Sequence, residues 1–166
     1  AVWLDIANAY GSIPHKLIFY ALNRYGVSEQ WIKLIKSYYG NIWSKSFQNS
    51  APSGWHKHQR GIFTGCTLSI ILFLMGIYVV IEYVGRGIAH ETANMPIKTF
   101  MDDMFLISFT VAETQEILNR CVTALQWSGM TFRASKSCGI VIENGKVLNQ
   151  SPFIASTDEN SEVVPS

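Results

Sequence analysis

Acidic residues are missing from a long interior stretch of this chain. None lies between Glu29 and Glu82, while Lys33, Lys36, Lys45, Lys57 and Arg60 fall there together with His56 and His58. The net charge of +1 hides this asymmetry, so no class of partner follows from the overall balance, but the segment is a candidate anion-facing surface. Charge of either sign is scarce, at 15% of residues against 48% hydrophobic, which excludes a disordered chain and leaves enough apolar material for a core. Cysteine is scarce too: Cys66, Cys121 and Cys138 have no paired spacing, which fits a reducing compartment and excludes a disulfide or zinc framework. The longest uninterrupted apolar run, Ile70 to Ile81, is twelve residues, short of the roughly 20 a membrane span needs. A buried helix is expected there instead. There is no repeat, no initiating Met and no basic leader before Asp5, and the chain starts inside a strand-like run, as a piece of a longer protein would.

The order of elements reads as α+β with a largely antiparallel sheet. "AVWLDIA" is a short apolar strand carrying one charge, Asp5. A helix is expected from Ser12 as N-cap to Gly26 as stop, with Ile18, Leu22 and Tyr25 apolar. A second is expected from Ser28, with Trp31, Leu34, Ile35 and Tyr38 on its apolar spacing and Gly40 beyond its end. "NIWSKSFQNSAPSGWHKHQRG" reads as an exposed hairpin around "APSG", followed by the apolar helix from about Leu68 to Tyr83. Thr110 and Glu113 form a capping box for a helix that ends at Gly129, and Asn144-Gly145 suits a type I′ hairpin turn. Residues 1–150 are expected to form the structured domain, and 151–166 a polar tail or the start of a further element.

The chemistry points to "KTFMDDMFLIS". Its apolar flanks suit two strands, with Asp102 and Asp103 in a two-residue turn that presents both carboxylates. Two carboxylates so close repel unless a cation neutralises them, and oxygen donors of this kind suit Mg²⁺. A solvated turn is the plain alternative. Asp is rare here: Asp5, Asp102, Asp103 and Asp158 are all there are. Asp5 lies in a similar apolar context, where an unpaired charge is costly. If its strand packs beside the hairpin, three carboxylates converge, an arrangement able to hold two metals for in-line displacement at phosphorus.

"LDIANAYGSIPH", "QRGIFTGCTLSIILF", "FMDD" and "MTFRASKS" stand in the order and approximate spacing of the palm motifs of reverse transcriptases, and the chain resembles most those of non-LTR retrotransposons, over roughly residues 2 to 140. The resemblance implies a palm-like antiparallel sheet packed against helices, and RNA-directed DNA polymerase activity that transfers a nucleotide from a dNTP to a primer 3′-hydroxyl. It implies Asp5, Asp102 and Asp103 as catalytic, metal-binding carboxylates, with Asp5 and Asp102 the firmer ligands and Asp103 the neighbouring acid of the same site, and with Mg²⁺ as cofactor and Mn²⁺ able to substitute. On the nucleotide side it implies Ile6, Tyr10 as the aromatic gate that rejects a 2′-hydroxyl, Gly65 and Ser69 against the template and nucleotide pocket, and Lys136 near the departing pyrophosphate. The plain alternatives are a core aromatic for Tyr10, a helix entry turn for Gly65 and a surface lysine for Lys136. The segment Trp31 to Arg60, with Lys45, Lys57 and Arg60, is expected to track the template, or else to be an ordinary solvated face. Partners are then an RNA template, a DNA primer and dNTPs, with fingers and thumb supplied by further segments of a polyprotein. No membrane is implied, and the location is intracellular, nuclear for a retrotransposon polymerase.

The chain departs from the pattern at Thr64, where Gln is common, at Thr67 and Ile70, where Pro is common, and at Arg133, where Asn is frequent. The missing prolines bear on the shape of the nucleotide pocket more than on the carboxylates. A degenerate or domesticated palm acting as a non-catalytic nucleic-acid-binding module is the alternative, and a metal-dependent nuclease would leave the second and fourth motifs unexplained.

Overall fold

The computed structural model describes residues 1–45, 47, 48, 51–86, 97–148, 153–157 and 160–163. The chain begins with β1 (Val2–Asp5), α1 (Ala9–Ser12), α2 (His15–Arg24) and α3 (Glu29–Gly40). Four two-residue strands follow, β2 (Trp43–Ser44), β3 (Phe47–Gln48), β4 (Ala51–Pro52) and β5 (His56–Lys57), and then α4 (Thr67–Gly85). The hairpin β6 (Ile97–Phe100) and β7 (Asp103–Leu106) precedes α5 (Val111–Ser128). A 3₁₀ turn at Ala134–Lys136 leads to β8 (Cys138–Gly139), β9 (Ile142–Glu143), β10 (Lys146–Val147), β11 (Ile154–Thr157) and β12 (Asn160–Val163). This is an α+β fold in which, among the described residues, every strand pairing is antiparallel. The backbone gathers into two compact units, Ala1–Ala9 with Ile77–Ser166, and Tyr10–Gly76.

The first unit is built on a four-stranded sheet in the order β6-β7-β1-β8. Alternation along β1 and β7 buries Val2, Leu4, Met104 and Leu106 and leaves Trp3, Asp5, Asp103 and Phe105 on the opposite face, as period-2 geometry requires. Helix α5 packs on this unit through Ile117, Leu118, Cys121 and Leu125, all buried, against β7 and β11. Its ends match the sequence signals: Glu113 N–H donates to Thr110 Oγ1 at 3.1 Å, and Gly129 takes the left-handed conformation at φ 76°. Asn144 and Gly145 both have positive φ, the type I′ signature, between β9 and β10. Residues 154–157 and 160–163 pair antiparallel, and Phe153 just before them is fully buried.

The second unit holds α2, α3, the short hairpin strands and the first half of α4. Helix α2 begins after Pro14, not at Ser12, because Ser12 closes the separate turn α1 and proline's fixed φ suits a helix start. On α3 the buried stripe is Ile32, Ile35 and Tyr39, so the expected apolar face is correct only at Ile35, and Trp31, Leu34 and Tyr38 are exposed. Both stripes have helical spacing, and periodicity alone cannot choose between two adjacent faces that are both apolar. Gln48 pairs with Ala51, and Ala51–Pro52 of "APSG" belongs to a strand rather than to the expected turn. The loop expected after α4 lies outside the described residues at 87–96. By length and composition alone α4 could cross a membrane; 44% of its most apolar window is buried within the protein.

Candidate active site

The carboxylates are placed by strand register. β1 pairs with β7 so that Asp5 stands directly opposite Asp103, and Phe100 stands opposite Asp103 on the other side. The hairpin loop is therefore Met101-Asp102, and Asp103 is the first residue of β7 and not part of the turn. Met101 has φ 56°, the positive φ that a type II′ turn demands at its first central residue. Directly opposed residues have Cβ atoms about 4.5–5.5 Å apart on one face, so the Asp5 and Asp103 side chains are neighbours, while Asp102 extends from the adjoining turn.

Other residues hold this pair in place. The Trp3 indole N–H donates to Asp103 Oδ1 at 3.3 Å, and its ring packs on Phe105 with centroids 5.6 Å apart. Asp5 N–H donates to Ser137 Oγ at 3.3 Å, while Arg133 N–H donates to the Asp5 carbonyl at 2.8 Å and Ala7 N–H to the Thr131 carbonyl at 2.8 Å. The bridge between Ile6 and Phe132 continues this pairing. "MTFRASKS" is thus clamped to the end of β1, which brings the exposed Lys136 onto the turn beside Asp5's strand. Ile6 is buried, so only its backbone could face a ligand. Trp3 and Ser137 were not legible as site residues. The available signal for Trp3 was its position two residues before Asp5, which puts it on the same face of β1.

Like charges directly opposite each other in a sheet are destabilising. The ion pairs Lys33–Glu29 and Arg120–Glu116 do not touch these carboxylates. A hard divalent cation fits this donor set, because Mg²⁺ is usually held by one or two carboxylates with water and substrate phosphates completing its shell. The expected convergence of three is not reproduced: among the described residues no group of three His, Cys, Asp or Glu could hold a metal. The fit therefore rests on Asp5 and Asp103, with Asp102 alongside.

The other expected residues lie in the second unit. The half-buried Tyr10 ring stacks on Phe73 at 4.9 Å and 11°. Gly65, at φ 86°, is an exposed turn residue two before α4. Ser69 is fully buried on α4 with its hydroxyl 3.3 Å from the Tyr39 hydroxyl. Burial raises the Tyr39 phenol above its usual range. Residues 10–15 pair with 59–62: His15 N–H donates to the Gln59 carbonyl, Gly61 N–H to Ile13 and Ile62 N–H to Tyr10. Lys45 and Lys57 are exposed, with their ammonium groups 5.8 Å from the Trp55 ring centre and 5.9 Å from that of Trp43. Arg60 is exposed on the bridge to Pro14.

Compared with known families, residues 1–157 match the model described as reverse transcriptase (RNA-dependent DNA polymerase). A comparison with curated proteins finds none that matches the chain.

Proposed function

Because the chain belongs to the reverse transcriptase family, we propose that it is the palm of a non-LTR retrotransposon polymerase, extending a DNA primer on an RNA template, with fingers and thumb carried by other segments of the same polyprotein. The observation that carries this reading is the register that sets Asp5 directly opposite Asp103. Asp5 and Asp103 bind the metal, Asp102 stands beside them, and the Trp3 N–H fixes the rotamer of Asp103. Bound there, Mg²⁺ or Mn²⁺ supplies the lowered pKa of the primer hydroxyl and the hold on the triphosphate. Lys136 offsets the charge that develops on the leaving pyrophosphate. Tyr10, stiffened by the Phe73 ring behind it, meets the sugar of the incoming nucleotide, a role that rests on its spacing after Asp5. The nucleotide-side roles of Ile6 and Gly65 rest on their places in the first and second motifs, and Ser69 on α4 meets the Tyr39 hydroxyl. Lys45, Lys57 and Arg60 contact the template backbone.

A second reading, a palm that binds nucleic acid without catalysis, is favoured by the burial of Ser69. Primer extension on an RNA template with Mg²⁺ separates the two: the polymerase reading expects extension that Asp103→Asn abolishes, and its absence even when flanking segments are restored overturns it. Independently of turnover, Mg²⁺ or Mn²⁺ should raise the thermal midpoint of the chain and not of the Asp5→Asn variant, since a ligand that binds only the folded state stabilises it.

A further inference from the structure

A cavity of about 510 Å³ opens within the second unit, and its wall carries Lys16, Lys57 and Arg60 with His15, His58 and Phe19. Among the described residues no acidic side chain lines it. Lys16 and Lys57 both face this cavity, and a bound anion would offset the repulsion between their charges. His15 is nearly buried and turns its Nε2–H onto the Gly61 carbonyl at 2.7 Å, and His58 Nε2 is 2.6 Å from Ser44 Oγ, so both imidazoles brace the wall. Phe19, which lines the cavity, also has the Lys36 ammonium 5.5 Å from its ring centre. The start of α2 forms part of the same wall, and its N-cap Pro14 supplies no side-chain acceptor.

Lys57 belongs to two features at once. It lines the cavity, and on β5 it stands opposite Trp43 and over its ring. Trp43 and Trp55 are about half and two-thirds exposed, at 52% and 66%, each with a lysine over it. An anion held in the cavity therefore has exposed indoles beside it. That combination, a cationic recess next to sequence-tolerant stacking surfaces, is the pattern of single-stranded nucleic-acid binding. It gives a free nucleoside triphosphate no comparable use for two separate indoles.

We propose that this cavity is a phosphate-binding site for a single-stranded polynucleotide, seating one or two backbone phosphates between Lys16, Lys57 and Arg60 while neighbouring bases stack on Trp43 and Trp55. This deepens the template-binding reading above and adds Lys16, which lies outside the basic segment that the sequence singles out.

The test is fluorescence anisotropy of the full chain with a labelled single-stranded RNA of about twelve nucleotides, over a salt series and without Mg²⁺. Lys16→Gln should weaken binding about three- to tenfold and lower the slope of log affinity against log salt by about one. Lys146→Gln, an equal charge change at an exposed residue on β10 of the first unit, should leave both unchanged. Both lysines are exposed, so both variants keep the fold, and circular dichroism checks this. Indistinguishable behaviour of the two variants overturns the site. Displacement of the RNA by a nucleoside triphosphate at concentrations below those at which the RNA itself binds overturns the choice of occupant. The readout is separate from catalysis: Lys16-dependent binding in a chain that never extends a primer sinks only the polymerase reading, and extension with binding indifferent to Lys16 sinks only the cavity.

Discussion

The two units carry opposite chemistry by opposite means. In the first, two carboxylates act because strand register sets them face to face, and a slip of one residue would send one of them to the buried side. In the second, cations gather because acidic residues are absent over a long stretch, and no single register holds them there. The difference teaches where tolerance to change should lie: the carboxylate pair is all-or-none, whereas the cationic surface degrades by increments. The sharpest way to break the comparison is to remove charge from each. Asp5→Asn and Asp103→Asn should each lower primer extension by about a thousandfold or more, since several kcal/mol of metal-borne charge stabilisation is lost. Loss of one cation, as in Lys57→Gln, should cost only about three- to tenfold in template affinity. A metal requirement carried by Asp102 and indifferent to Asp103→Asn would show that the register is not what places the site.

A second prediction concerns the backbone that holds the second unit together. Gly61 has φ 84°, and a Cβ there would lie 2.9 Å from the Gly11 carbonyl oxygen, a backbone atom unable to swing aside. Gly61→Ala should therefore cost about 2 kcal/mol or more, lowering the thermal midpoint by about 5 °C or more. Gly26→Ala has open space and only the strain of φ 71°, and should cost less. Equal midpoints for the two variants would remove the close approach of residues 11 and 61 from the account.

Much of the first unit was legible because its signals are local. The Thr110 cap, the Gly129 stop and the Asn144-Gly145 turn each need only a few adjacent residues, and all three stand where they were expected. The pairing of Asp5 with the hairpin was legible as a condition, through the scarcity of Asp in apolar surroundings, but its register was not. A two-residue loop starting at Met101 or at Asp102 is equally compatible with the apolar flanks, and the cross-strand partner that decides between them is nearly a hundred residues away. The buried face of α3 and the burial of Ser69 were illegible for a related reason. Both depend on which neighbour covers the helix, and an amphipathic pattern with apolar residues on two adjacent faces does not encode its neighbour.

Trp3 sharpens the comparison at intermediate size, because it tests whether the first unit depends on orientation as well as charge. Trp3→Phe keeps an aromatic ring against Phe105 and removes only the N–H that reaches Asp103 Oδ1. At 3.3 Å and on an exposed face the bond is a modest one, so extension should fall about three- to tenfold. A positioning role predicts more than that fall: the Mg²⁺ concentration for half-maximal extension should rise, and Trp3→Gln, which restores an N–H donor, should recover part of the loss. An unchanged Mg²⁺ requirement would make Trp3 a packing residue only.

The smallest effect compares one thiol from each unit. Cys66 stands just before α4, and the backbone N–H groups of Ser69 and Leu68 donate to its sulfur, favouring the thiolate and lowering its pKa below the usual thiol value. Cys121 is buried on α5 with no such donors, and desolvation pushes its pKa up to about 12. The thiolate is the reactive form, so iodoacetamide near neutral pH should modify Cys66 in the folded chain and leave Cys121 untouched. The sign for stability follows from the same burial. The folded chain keeps the Cys121 proton up to about pH 12, while an unfolded thiol releases it at about pH 8.5, so this residue's contribution is complete below about pH 8.5 and is lost as the pH rises toward 12. Mass mapping of alkylated peptides at pH 7 and pH 9.5 reads both halves. Equal labelling of the two cysteines at either pH in the folded chain would mean that α5 does not bury its thiol and that the start of α4 does not aim its amides at Cys66.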